Sequence, residues 1–174
     1  ISTFGFPVVQ QIIVFSEEVF EVSPFLFGLL GSAQGIGAVL AVPLVTGYVS
    51  FMKPSVQQLI ATVGYGFAVI IFAVAPSYSV AFCSLGILGI MHLTSASNLN
   101  SVVQLQVDEE MRGRVMAIYL VGVLGPAPFA GLAMGWLVSS FGPRLVVSLS
   151  GSILALLAIV LWSRGKFNDL NATT

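Results

Sequence analysis

Long apolar stretches separated by short polar groups dominate the pattern of this chain. Four successive runs carry no formal charge: 22–52, 54–107, 115–143 and 145–163. A helix of about 20 apolar residues crosses the hydrocarbon core of a bilayer, so three of these runs each predict one crossing. The second run is long enough for two crossings, and Ala75-Pro76-Ser77-Tyr78 provides the break between them. The strict apolar–polar alternation of β-barrel strands is not visible.

The pattern therefore predicts an all-α, polytopic membrane protein whose chain forms one six-helix bundle. The expected helices cover about 1–15, 24–48, 55–75, 78–106, 114–138 and 144–163. The first segment is short for a crossing and begins at Ile1, which suggests a fragment with its N-terminal part upstream. The segment also lacks the basic start and the small-residue cleavage site of a signal peptide.

Composition supports the membrane assignment and excludes several classes of protein. Charged residues make up 7% of the chain, against about 25% in soluble domains, and the mean hydropathy is +1.02. The net charge of −1 provides no attraction to nucleic acid. One cysteine and one histidine are too few for a zinc site, and no catalytic or nucleotide-binding motif is present. We expect no enzyme activity, no metal and no cofactor, and we expect the lipid bilayer as a partner.

The basic residues predict an orientation in the membrane. Five of the six fall on one side when successive helices alternate in direction: Lys53, Arg112, Arg114, Arg164 and Lys166. Arg144 alone falls on the other side. Because an excess of Lys and Arg is typical of cytoplasmic loops, we expect the C-terminus in the cytoplasm and the acidic loop 17–21 outside.

The fourth predicted helix contains the most polar stretch within an apolar run, MHLTSASNLNSVVQLQ at 91–106. Five of its polar residues fall in one sector of a helical wheel: Thr94, Ser97, Asn98, Ser101 and Gln104. Since an unsatisfied polar group is costly in hydrocarbon, this sector meets either a partner helix or a water-filled cavity. We favour a substrate cavity, with Gln10 and Phe6 as secondary lining residues. His92, opposite the sector, is either hydrogen-bonded to a neighbouring helix or a proton carrier.

Glycine and proline predict bending and close packing. Gly125, Pro126 and Pro128 lie about 18 Å into the fifth predicted helix at 1.5 Å per residue, and two prolines there predict a kink near the midplane. That kink is either static or a flexible gate segment. Gly31-x-x-x-Gly35 and Gly131-x-x-x-Gly135 predict small-residue seams between helices.

The loop between the fourth and fifth predicted helices carries the largest charge cluster. Its members are Asp108, Glu109, Glu110, Arg112 and Arg114, with Gly113 between the arginines. Acidic residues at a helix C-terminus and basic residues at an N-terminus both oppose the helix dipole, so compensating ion pairs are expected. We interpret the loop either as a solvated topology signal or as a latch that holds one conformational state.

This loop resembles the major facilitator superfamily, and in particular its enterobactin-exporter-like branch. The residues in register with the branch's stretch between helices ten and eleven are Asn100, Gln104, Val107, Glu109, Glu110, Arg112, Gly113, Arg114, Val115, Met116 and Tyr119. Asp108 departs from the branch, which usually has proline there. The superfamily's signature between helices eight and nine is degenerate here, with only Gly47 and Lys53 retained.

The resemblance implies that the chain is helices seven to twelve of a twelve-helix transporter, and that a second six-helix half is its partner. It also implies alternating access around a cavity lined by the first and fourth helices of this chain. The expected function is export of a small amphipathic molecule, drug-like or siderophore-like, across a bacterial cytoplasmic membrane. Protons are candidate coupling ions, taken up by the absent half or by His92. The alternative is a six-helix scaffold or assembly subunit without transport activity.

Thiol labelling tests the predicted orientation. In a Cys83→Ser background, an impermeant reagent applied to intact cells should modify Glu18→Cys and spare Arg112→Cys, because only the first of these positions is expected outside. Permeabilised cells serve as the control, since both positions should then react. The reverse pattern in intact cells would contradict the orientation.

Overall fold

The computed structural model describes Val8, residues 10–47 and residues 51–173, and this part of the chain is all-helical, which confirms the fold class. A short helix, α1 (Ile12–Val14), continues into a π-helical turn at Phe15–Val19. Six longer helices follow: α2 (Pro24–Thr46), α3 (Pro54–Val74), α4 (Tyr78–Gln106), α5 (Arg112–Leu124), α6 (Ala127–Phe141) and α7 (Pro143–Ser163). A 3₁₀ turn at Asn168–Thr173 ends the described chain.

Five segments of the described chain are long and apolar enough to cross a membrane, which makes this a multi-pass membrane protein. They are α2, α3, α4, α7 and the α5–α6 pair, which together cover Arg112–Phe141. Six crossings were expected from the sequence, and the sixth is not confirmed. Most of the segment expected at 1–15 lies outside the described residues.

Prolines define where several of these helices begin. Pro24, Pro54 and Pro143 are the first residues of α2, α3 and α7, where the missing proline N–H removes a donor that would have no partner inside the helix. Gly142 separates α6 from α7 with a φ of 84°. A side chain is disfavoured at that angle, so glycine allows the chain to reverse within one residue.

The fifth crossing is interrupted between Leu124 and Ala127, where Gly125 and Pro126 stand. Helical hydrogen bonding continues on both sides, since Gly125 N–H donates to Val121 and Ala130 N–H donates to Pro126. α5 has no buried residue, and α6 buries only Ala127, Met134 and Val138. This crossing is therefore both broken and loosely attached to the rest of the bundle.

Hydrogen bonds between helix ends define the directions of the helices. Tyr78 Oη donates to the carbonyl of Leu26 at 2.8 Å, so α2 and α4 begin side by side and run parallel. The Arg144 guanidinium donates to the carbonyl of Ala75 at 3.3 Å, which places the start of α7 beside the end of α3. At the opposite end, Ser55 N–H donates to Asn171 Oδ1 at 3.1 Å. α3 and α7 are therefore antiparallel, and α3 lies between α4 and α7.

Glycine lets two pairs of helices approach until their backbones touch. Where α2 crosses α4, a Cβ added to Gly37 would collide with the backbone of Gly86. Where α3 crosses α7, a Cβ on Gly66 would lie 2.7 Å from the carbonyl oxygen of Gly151. A Cβ on Gly151 would likewise lie 2.7 Å from the carbonyl oxygen of Gly66. Such contacts stabilise membrane helices through dispersion, because lipid supplies no hydrophobic driving force between them.

The glycine seams predicted from G-x-x-x-G spacing are not the ones that pack in the described chain. Gly31, Gly35 and Gly135 have no neighbour within 4 Å of an added Cβ, and Gly131 meets only the side chain of Gln10. The packed glycines instead face the backbone of a neighbouring helix, as Gly37 faces Gly86 and Gly66 faces Gly151. A spacing rule within one helix therefore misses them, because the contact depends on which glycine of the partner lies opposite.

We predict that Gly66→Ala destabilises the protein by about 1–3 kcal/mol, since the new methyl group would press against the backbone of Gly151. Gly135→Ala is the matched control, because the same methyl group meets open space there and alanine favours the helix. Thermal unfolding in detergent measures both variants. Equal effects of the two substitutions would contradict the packing of α3 on α7.

Candidate functional site: the two sides of α4

α4 is held by neighbours on two sides and open on a third. Gly86 and Gly89 pack against α2, whereas Ser95 and Asn98 face α3. On the third side, Cys83, Ile87, Ser101 and Gln104 are half-buried or exposed within the described chain. The polar stretch of α4 therefore divides between a bonded side and an open side.

The bonded side contains a network of four buried polar side chains, here called the α3–α4 polar seam: Gln58, Thr62, Ser95 and Asn98. Asn98 Nδ2 donates to the carbonyl of Pro54 at 2.9 Å and to Gln58 Oε1 at 3.1 Å. Gln58 Nε2 donates to Ser95 Oγ at 2.7 Å and to Thr62 Oγ1 at 3.1 Å. Both amide groups of the seam thus find partners in the interior.

The sequence pattern favoured a substrate cavity for the sector that contains Asn98, and it did not single out Gln58, Thr62 or Ser95. The structure places the Asn98 amide on the partner helix, and the side chain is only 7% exposed. Gln58 and Thr62 are four residues apart, and Ser95 and Asn98 are three apart, so each pair shares a helix face. That spacing was the available signal for a polar contact between two neighbouring helices.

The other members of the predicted sector have different environments. Thr94 is buried, and its Oγ1 donates to the carbonyl of Ile90 in its own helix at 2.8 Å. Ser97 is half-buried, and Ser101 and Gln104 are exposed. The described helices leave Ser97, Ser101 and Gln104 accessible. These three residues form the open side of α4 along the second half of the helix.

His92 lies one turn before Ser95, on the same side of α4 as the polar seam. Its ring centroid is 6.0 Å from that of Tyr65 on α3, with an interplanar angle of 48°. Tyr65 is fully buried and His92 half-buried. Tyr65 Oη and His92 Nδ1 are both buried without a hydrogen-bond partner. His92 therefore faces α3 and lies away from the open side of α4.

The secondary cavity residues are described only in part. Gln10 is exposed, and its amide oxygen lies close to Gly131 of α6. Phe6 lies outside the described residues. Gln11, which sequence analysis did not single out, is buried at 7% exposure. The first segment therefore contributes one exposed amide near α6.

The charged loop is fully exposed. Its acidic residues and Gly113 face solvent, as do Arg112 and Arg114 in the first turn of α5. A backbone bond from Met111 N–H to the carbonyl of Asp108, 3.0 Å long, closes the turn. Among the described residues, no three His, Cys, Asp or Glu side chains converge as a metal site would require. The loop's charged groups are thus accessible to partners outside this chain.

An apolar groove of about 430 Å³ lies between α6 and α7, beside the loosely attached crossing. Met134, Phe141, Leu145 and Ile153 line it, and Ser150 is its one polar side chain. None of the polar residues of α4 lines this groove. It does not bring together any of the residues predicted from the sequence.

Five apolar helical segments make this a multi-pass membrane protein, and α4 carries an open polar side. The sequence model of the transmembrane secretion effectors matches residues 10–173, and the chain belongs to this family of major facilitator transporters. The resemblance seen in the sequence is confirmed at the level of the superfamily. No curated protein and no solved structure matches the chain.

We predict that Asn98→Leu costs on the order of 1 kcal/mol of stability, because the carbonyl of Pro54 and Gln58 Oε1 lose their donor. Ser101→Leu is the control and should leave stability unchanged, since Ser101 is exposed. The double variant Gln58→Leu/Asn98→Leu should cost less than the sum of its parts, as expected for interacting partners. Additive costs in unfolding measurements would contradict the network.

Proposed function

We propose that this chain is the C-terminal half of a secondary active transporter that exports a small amphipathic molecule by alternating access. Membership of the secretion effector family supports a transport function. The observation that carries the proposal is the open side of α4, which presents hydroxyl and amide groups inside an otherwise apolar bundle. A bacterial cytoplasmic membrane and a cytoplasmic C-terminus are part of the proposal.

The chemistry of the open side suits an amphipathic ligand without strong charge. Ser97, Ser101 and Gln104 offer donors and acceptors, and no Asp, Glu, Lys or Arg lies within α4. Ligand sites combine mostly apolar walls with a few polar groups that set orientation. Drug-like and siderophore-like molecules match that combination.

The packing of the bundle suggests which part moves. α3 packs closely with α4 and α7, through the polar seam on one side and the Gly66–Gly151 contact on the other. The α5–α6 crossing is barely buried and is broken at Gly125-Pro126. Gate motions use elements with few packed contacts and a local hinge. We assign the gate to α5–α6, with Pro128 in the first turn of α6 beyond the break.

The exposed loop fits a latch between the two halves. An exposed ion pair contributes about 0–1 kcal/mol, so Arg112 and Arg114 add little to folding. A change of about 1.4 kcal/mol alters a two-state ratio tenfold, so a few such contacts are enough to bias a conformational equilibrium. In this proposal Asp108, Glu109 and Glu110 share that role, and the partners are charges of the other half.

Coupling to protons has two candidate sites. The acidic residues of this chain all lie outside its apolar runs. The carboxylate that takes up protons then belongs to the absent half, or His92 serves instead as the carrier.

Transport by the complete protein in vesicles tests the proposal. Ser101→Leu should reduce gradient-driven accumulation of an amphipathic dye several-fold while leaving abundance and stability unchanged, because the new side chain removes a polar group from the cavity. Ser32→Leu is the matched control, an exposed serine on α2 whose Oγ bonds to a carbonyl of its own helix. Equal loss in both variants would contradict the cavity. Absence of gradient-driven uptake in the unaltered protein would favour a scaffold.

A further inference from the structure

We propose that Tyr65 and His92 hold one bound water molecule between them, and that this water fixes His92 as the tautomer protonated on Nε2. The inference concerns the interior contact of α3 with α4, so it does not depend on the proposed transport function. It assigns a ligand to the one place in the described interior where two polar side-chain atoms are left unsatisfied.

The two unsatisfied atoms are complementary. A buried polar atom without a partner is costly, so native proteins rarely leave one unexplained. Tyr65 Oη carries a proton that it can donate. His92 Nδ1 can accept a hydrogen bond when the imidazole proton is on Nε2. Each residue thus supplies what the other lacks.

The two rings are neighbours, but their unsatisfied atoms do not bond to each other directly. Their centroids are 6.0 Å apart, yet no direct hydrogen bond joins the two atoms. A polar contact that is too long for a direct bond is commonly bridged by water. Buried waters are held by two to four polar groups of this kind. One water donating to Nδ1 and accepting from the phenol satisfies both atoms.

The pair also continues the α3–α4 polar seam. On α3, Tyr65 lies three residues after Thr62 and seven after Gln58. On α4, His92 lies three residues before Ser95. All of these positions recur on one helix face. The amide of Gln58 is bonded to its neighbours in the seam. Tyr65 and His92 lie about one turn further along their helices, and Tyr65 Oη and His92 Nδ1 have no hydrogen-bond partner. A bound water completes this next level of the seam.

One consequence concerns the role of each residue. With Nδ1 occupied as an acceptor, the remaining ring nitrogen of His92 is a donor that points out of the pair. Tyr65 does not itself contact anything on the open side of α4. It is therefore a positioning residue that sets the tautomer and ring orientation of His92.

Nitrogen NMR of the reconstituted protein, labelled with ¹⁵N-histidine, tests the proposal, with H92Q identifying the signals. We expect an unprotonated Nδ1 that shows magnetisation transfer from water, and a protonated Nε2. Tyr65→Phe should shift the Nδ1 signal and abolish the transfer. Tyr78→Phe is the matched control, because the Tyr78 hydroxyl bonds to Leu26 instead and should leave His92 unchanged.

Three results would overturn the proposal. A proton on Nδ1 in the unaltered protein would leave no acceptor for the water. An Nδ1 signal unaffected by Tyr65→Phe would remove tyrosine from the site. A Tyr65-dependent signal without transfer from water would replace the bridge with a direct bond. The first result and the absence of transfer from water need only the unaltered protein, so a variant that failed to reconstitute would not prevent the test.

Discussion

The amides of Gln58 and Asn98 are buried inside the bundle, and they bond to one another. In hydrocarbon an unpaired amide is costly, so this constraint determines which way α4 can face. Turning Asn98 toward α3 places Ser95 and His92 on the same interface. It leaves Ser101 and Gln104 further round the helix, where the described helices do not cover them. The candidate cavity thus depends on the seam that lies behind it.

Backbone contacts extend this arrangement into a packed block. Gly66 on Gly151 joins α3 to α7, and Gly37 on Gly86 joins α2 to α4. These contacts leave little freedom for the four helices to move relative to one another, since close-packed interiors deform little. The α5–α6 crossing has few such contacts and contains a break. A closely packed block beside a loosely held crossing supports the proposed assignment of the gate to α5–α6.

Much of the fold follows from the sequence alone because the bilayer imposes a simple length rule. Charge-free runs and prolines identify five crossings, and the interruption at Gly125-Pro126 falls where the prolines stand. The partner of Asn98 could not be predicted, because a helical wheel shows which face is polar but not which helix lies against it. Gln58 was missed because it stands beside Gln57 near the predicted start of its helix, and nothing in the sequence marks it as an interior amide. The glycine contacts were missed because they depend on facing helices and not on spacing within one.

The division of α4 into a bonded and an open side is most directly tested by thiol accessibility along one helix. Single cysteines at Ser95, Ser97 and Ser101, in a Cys83→Ser background, would be exposed to a small water-soluble reagent in membranes containing the complete protein. Cysteines in place of Ser97 and Ser101 should react, and a cysteine in place of Ser95 should remain protected, because Ser95 is 2% exposed and bonded to Gln58. Reaction at Ser95 with protection at Ser101 would contradict the account.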